Sequence, residues 1–155
     1  MEIVSRSLEE TADFASKILT NLAEKGRQNK LATVVGLVGD LGAGKTTFTQ
    51  AVSRQLGIRA PIQSPTFVIM KSYSIPSKKV RSCQWPWRQL VHIDCYRLDK
   101  ADDLLHLGWN ELIANPENLI LVEWPERMGD LLSAPALKIN FEVTGESERK
   151  IWMLP

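Results

Sequence analysis

Gly39-Asp40-Leu41-Gly42-Ala43-Gly44-Lys45-Thr46 has the glycine spacing and the terminal Lys-Thr of a loop that wraps a polyphosphate. Backbone N–H groups converge on phosphate oxygens only where side chains do not obstruct them, and Gly39, Gly42 and Gly44 meet that demand. In such a loop Lys45 reaches the β- and γ-phosphates of a nucleoside triphosphate. The Thr46 hydroxyl ligates Mg2+ at the start of a helix whose dipole also favours anions, and Thr47 follows it on that helix.

The flanking chain supplies the strand and helix that the loop requires. Leu31 to Val38 is an apolar, β-branched run, as expected of a strand buried on both faces. Beyond the loop, Phe48, Ala51, Val52 and Leu56 repeat at helical spacing up to Gly57, a C-terminal cap. Further out, Ser7 and Glu10 form a capping box before the periodic Leu8, Ala12, Ala15, Ile18, Leu19 and Leu22, so a helix is expected as far as Gly26. Thr66 to Ser74, Gln89 to Cys95 and Leu119 to Trp124 read as strands, with one helical stretch from Ala101 to Ala114. Leu137 to Val143 and Arg149 to Leu154 flank a polar turn and are expected to pair antiparallel. The predicted fold is α/β: a single P-loop NTPase domain over residues 1–155, with a mixed, mostly parallel sheet flanked by helices and a C-terminal antiparallel hairpin.

Bulk properties exclude several classes. The chain has 155 residues, 44% hydrophobic and 24% charged, enough for one core without staples. Its net charge is +1, so no global field holds it on nucleic acid or an anionic membrane. No apolar run approaches the ~18 residues of a membrane span. The N-terminus has no secretory pattern, which gives a cytoplasmic expectation. Cys83 and Cys95 lack the spacing of a redox or zinc site and read as free thiols.

Mg2+ needs a second protein ligand, usually a carboxylate at the end of a neighbouring buried strand. Asp94 ends Leu90-Val91-His92-Ile93 and Glu123 ends Leu119-Ile120-Leu121-Val122, so both qualify. Ser64-Pro65-Thr66-Phe67 is either an ordinary loop or a segment whose Thr66 hydroxyl senses the γ-phosphate.

Taken together, Gly39 to Phe48, Ser64-Pro65-Thr66-Phe67, His92-Ile93-Asp94-Cys95-Tyr96-Arg97-Leu98 and Val122-Glu123-Trp124-Pro125-Glu126 closely resemble the bacterial TsaE family in order and separation. The resemblance covers nearly the whole chain. It implies an ATPase, using ATP and Mg2+, required to make N6-threonylcarbamoyladenosine at the adenosine beside the anticodon of tRNAs reading codons that begin with A. It implies TsaB and TsaD as partners, with tRNA met through that assembly. It also implies a switch-like role for Thr66, magnesium and catalytic roles for Asp94 and Glu123, and a place for Trp124 in the site. The expected catalytic set is thus Lys45, Thr66, Asp94 and Glu123. Gly39, Asp40, Leu41, Gly42, Ala43, Gly44, Lys45, Thr46, Thr47 and Trp124 contact nucleotide, and Thr46, Asp94 and Glu123 serve the metal.

Pro76 to Gln89 looks longer than the family's connection. Its Lys78, Lys79, Arg81 and Arg88 beside Trp85 and Trp87 suit RNA contact, although tryptophans folded onto the domain are the preferred reading. His92 is expected as a packed or orienting side chain, His106 as structural, and Trp109 and Trp152 as core. A small-molecule kinase would need an arginine-bearing lid, which is not evident, and a GTPase would need an Asn-Lys-x-Asp set that the chain lacks. A binding module in which ATP props up a surface with little turnover is the remaining alternative.

Overall fold

Side chains along a strand point alternately to the two faces of its sheet, and here that alternation sorts the core into two layers. The computed structural model describes residues 1–76, 85–132 and 137–153. In β2 (Thr33–Gly39) and β5 (Asn118–Glu123), Val35, Leu37, Leu119 and Leu121 join one apolar cluster. With them pack Phe14, Ile18 and Leu19 of α1 (Leu8–Gly26) and Phe48, Ala51 and Val52 of α2 (Lys45–Gln55). Val34, Ile120 and Val122 face a second cluster with Leu104 of α3 (Asp102–His106) and Trp109 of α4 (Trp109–Ala114). Helices therefore cover both faces, and β2 and β5 are apolar or glycine at most positions.

The remaining strands are β1 (Glu2–Ser5), β3 (Met70–Ser74), β4 (Gln89–Asp94), β6 (Leu137–Val143) and β7 (Arg149–Met153). The sheet is seven-stranded in the order β1-β7-β6-β2-β5-β4-β3. Its four central strands, β6, β2, β5 and β4, run parallel; β3 pairs antiparallel with β4, and β6, β7 and β1 form an antiparallel meander-like edge. This is the mixed sheet with a C-terminal hairpin expected from the sequence. The strand carrying the glycine loop lies at its middle, where both neighbours are parallel.

Three local differences have physical causes. β1 was not anticipated, because four residues at a sheet edge show too little periodicity; its pairing to β7 is a contact between chain ends. Thr66 to Ile69 do not continue β3. Val68 N–H donates to the Pro65 carbonyl and Ile69 has φ 63°, so these residues form a turn and the strand starts at Met70. The single helix expected from Ala101 to Ala114 is two short ones, separated at Gly108 with φ 83°.

Trp87 is buried, its Nε1 donates to Thr33 Oγ1 at 3.0 Å, and it stacks with Trp85 at 6.3 Å between centroids. Those two tryptophans thus fold onto the domain; Lys78, Lys79, Arg81 and Cys83 lie outside the described residues. Trp109 is core, whereas Trp152 is half-buried with the Lys150 ammonium 5.4 Å from its ring, and His106 is exposed at the end of α3. Among the described residues no helix is long and apolar enough to cross a membrane.

Leu119, fully buried between the two parallel neighbours of β5, is a test of this layering. Leu119→Ala is expected to lower unfolding free energy in urea by about 2–5 kcal/mol. Val143→Ala, at a position 49% exposed at the end of β6, is expected to change it by only about 0.5 kcal/mol.

Candidate functional site

The same alternation that builds the core brings the polar residues together. Leu119 and Leu121 face α1 and α2, so Glu123, two further along β5, points to that face as well. On β4, Leu90 faces the same cluster, which sends His92 and Asp94 to that side. Asp94 and Glu123 lie directly opposite in the parallel ladder, and Glu123 is also opposite Leu37 of β2. Both carboxylates therefore stand at the carboxyl edge of the sheet beside the start of α2, and each is only 3% exposed.

The loop between β2 and α2 is shaped by its glycines. A Cβ at Gly39 would run into the backbone carbonyl of Phe141 on β6, so only glycine lets the chain leave the sheet here. Gly44 caps α2 with φ 104° and offers no side-chain acceptor to the first-turn N–H groups. Those donors, with the helix dipole behind them, form an anion-binding end. Lys45 is buried, and its Nζ donates to the carbonyls of Gly39 and Asp40 at 2.7 and 2.8 Å. The ammonium also lies 4.2 Å from the centroid of the Trp124 ring. Burial pushes the Lys45 pKa down, opposed by the nearby carboxylates of Glu123, Asp94, Glu126 and Asp40. Trp124 holds a left-handed backbone, φ 58°, with its N–H on the Leu37 carbonyl at 3.3 Å and its ring 5.1 Å from that of Tyr96.

Glu123 and Asp94, equivalent in the sequence, have different partners. Glu123 Oε1 accepts from Thr46 Oγ1 at 2.8 Å and lies 2.9 Å from His92 Nε2. Asp94 Oδ2 accepts from Ser64 Oγ at 2.7 Å and from Thr66 Oγ1 at 2.5 Å, while its Oδ1 accepts the Tyr96 N–H at 2.9 Å. Glu123 thus belongs to the glycine loop and Asp94 to the Ser64–Phe67 turn. The turn ending at Ile69 is what turns Thr66 onto Asp94, and Arg97 lies 4.4 Å over the exposed Phe67 ring. Cys95, next along, is fully buried, and burial with the charges of Asp94 and Glu126 pushes its thiol up to about 12. It is an inert packed thiol, not a nucleophile.

Lys45, Thr46, Thr66, Asp94, Glu123 and Trp124 are therefore linked by direct contacts or close charges. Leu41 is 77% exposed at the loop tip. Thr47 faces a cavity of about 270 Å³ between Gly42–Gly44 and the Ser5 and Arg149 side chains of β1 and β7. That is slightly below the range of small-molecule sites, roughly 300–1,000 Å³. Sequence reasoning missed Ser64 as a partner of Asp94, and Tyr96 beside Trp124; the Ser-Pro-Thr and Asp-Cys-Tyr spacings were the available signals. Among the described residues no three His, Cys, Asp or Glu side chains cluster as a metal cage. The hard oxygens of Thr46 and Glu123 nonetheless suit Mg2+, which takes one or two protein ligands and completes its shell with phosphate and water.

A parallel sheet whose central strand ends in this loop, with a carboxylate of the adjacent strand bonded to the Lys-Thr threonine, defines a P-loop nucleotide-binding domain. The chain belongs to the TsaE family: the family described as "Threonylcarbamoyl adenosine biosynthesis protein TsaE" matches residues 5–151. Similar relatives, each called tRNA threonylcarbamoyladenosine biosynthesis protein TsaE, come from several bacteria. That of Rickettsia prowazekii is 33% identical over 92% of this chain and 87% of its own length. That of Bacillus subtilis is 36% identical over 79% and 69%, and that of Treponema pallidum 31% over 97% and 98%. A crystal structure of Bacillus subtilis YdiB superposes with a TM-score of 0.69 at 29% identity, covering 99% of this chain and 83% of that one.

The buried Lys45 makes stability depend on alkaline pH in a defined sense. Its folded pKa lies below the ordinary lysine value of 10.5, so between the two the unfolded chain binds more protons and unfolding free energy rises with pH. Urea titrations of the parent and of Lys45→Met are expected to show the parent gaining stability relative to the variant as pH climbs through that window. A constant difference would mean that burial does not bias this ammonium.

Proposed function

We propose that the chain binds ATP with Mg2+ in the Gly39–Thr46 loop and hydrolyses it, as the ATPase that supports N6-threonylcarbamoyladenosine formation in tRNA. Residues 1–155 act as one domain in this reading. The observation that carries it is the Thr46–Glu123 hydrogen bond at 2.8 Å, which joins the loop's magnesium-binding hydroxyl to a buried strand-end carboxylate. The family relatives, all called tRNA threonylcarbamoyladenosine biosynthesis proteins, support the pathway.

Each group has a role in phosphoryl transfer to water. The loop amides and the α2 N-terminus hold the phosphates, Lys45 supplies the cation for their terminal oxygens, and Trp124 covers that ammonium and limits water around it. The cavity beside Thr47, which Gly42, Ala43 and Gly44 also line, is where the nucleoside is placed in this reading. Mg2+, when bound, neutralises charge building on the transferred phosphoryl group. Thr46 and Glu123 hold it; Asp94 instead holds Ser64 and Thr66, whose release toward the γ-phosphate couples nucleotide state to the exposed Phe67 turn. Partner proteins TsaB and TsaD organise that turn in the cytoplasm, and tRNA is met through the assembly. Isolated protein therefore turns ATP over slowly, since misplaced catalytic groups lose about 100-fold in rate.

The test is paired on one folded variant. Glu123→Ala is expected to leave nucleotide affinity, read by calorimetry in EDTA, within a few-fold, while partner-stimulated phosphate release falls by about 100-fold or more. Lys45→Ala is expected to lose binding itself. Parental values of both quantities in Glu123→Ala would remove Glu123 from the site.

A further inference from the structure

Glu123 Oε1 has a second buried neighbour besides Thr46. His92 lies in β4 opposite Leu121 of β5, has 0% exposure, and places Nε2 2.9 Å from Glu123 Oε1. An ionised carboxylate only accepts hydrogen bonds, so the ring must present Nε2–H to it. Its other nitrogen, Nδ1, is buried and has no hydrogen-bond partner among the described residues. An imidazole in a strand interior flanked by Val91 and Ile93 gives up its hydration, and the bond to Glu123 is what offsets that loss.

We propose that His92 is a positioning residue that fixes the Glu123 carboxylate and thereby sets the affinity of the site for the divalent cation accompanying the nucleotide. This rests on the nucleotide-binding reading above. Oε1 accepts two hydrogen bonds, one from Thr46 Oγ1 at 2.8 Å and one from His92 Nε2–H at 2.9 Å. The Thr46 proton is thereby aimed at Glu123, which leaves the hydroxyl lone pairs for a cation. Without His92 the terminal torsion of Glu123 is broad and soft. Thr46 then loses an acceptor of fixed direction. Hydrogen-bond partners one step removed from a metal typically govern about 10- to 100-fold in its affinity.

Chain geometry supplies a discriminating set of variants. In Gln the amide nitrogen is as many bonds from Cβ as Nε2 of His, so His92→Gln keeps a donor near Oε1; His92→Asn falls short, and His92→Phe keeps ring shape without a donor. For folded His92→Phe and His92→Asn, ATP affinity in EDTA is expected to stay within about twofold of the parent, whereas the Mg2+ concentration at half-saturation rises about 10- to 100-fold. His92→Gln is expected to stay within about threefold of the parent for that midpoint. With partners and saturating ATP, phosphate release by the Phe and Asn variants is expected to fall at limiting Mg2+ and to recover as Mg2+ is raised. A readout free of nucleotide and metal is the long-range 1H–15N spectrum of the parent, in which His92 is expected as the Nε2–H form.

An Nδ1–H ring with bare Nε2 would overturn the proposal. So would parental Mg2+ dependence in the Phe and Asn variants, or a Gln variant as impaired as Asn. Should the Phe variant not fold, the Gln–Asn contrast decides alone. A parent that bound no ATP would remove the nucleotide reading, and this proposal with it; a parent that binds ATP beside variants with its Mg2+ dependence removes only the role of His92.

Discussion

The hydrogen bond from Thr46 to Glu123 joins the first turn of α2 to the end of β5, and much of the surrounding structure serves to keep it in place. One end is held by the parallel ladder that sets Glu123 opposite Leu37. The other is held by the loop, which turns out of the sheet at a residue pressed against the Phe141 carbonyl. A carboxylate buried to 3% exposure needs donors around it, and Thr46 and His92 provide them. Lys45 adds a compensating charge, as its opposed desolvation and carboxylate influences indicate.

Two carboxylates on neighbouring strands would repel if they shared one set of partners. Here the ladder places them side by side, but their hydrogen bonds divide between the glycine loop and the Ser64–Phe67 turn. Such a division gives each carboxylate its own donors, Thr46 and His92 for Glu123, and Ser64, Thr66 and the Tyr96 N–H for Asp94. The Asp94 side is also the exposed side: Phe67 is 83% and Val68 57% exposed.

Much of this was legible in the sequence because its signals are local. The strand-loop-helix around Gly39–Thr46, the capped α1 and the C-terminal hairpin each rest on spacing within one segment, and all are present. What escaped was decided by contacts between distant residues or by single backbone angles. β1 exists through its pairing with β7, the Thr66 turn through the positive φ of Ile69, and the break in the 101–114 helix through Gly108. Asp94 and Glu123 could not be told apart from their strands, since each ends an apolar run; they differ in partners, Glu123 against Thr46 and Asp94 against Ser64 and Thr66. His92 was expected to pack or to orient, and its bond to Glu123, 31 residues away, shows which group it touches.

The most direct measurement is threonylcarbamoyl transfer to tRNA, reconstituted with the proposed partners TsaB and TsaD and an activated threonylcarbamoyl donor, over many turnovers. Modification is expected to continue past the first round only with this chain and hydrolysable ATP, and Glu123→Ala is expected to perform no better than omission of the chain. Sustained modification without the chain, or with Glu123→Ala at the parental rate, would contradict the assignment of this P-loop site as the ATPase of the pathway.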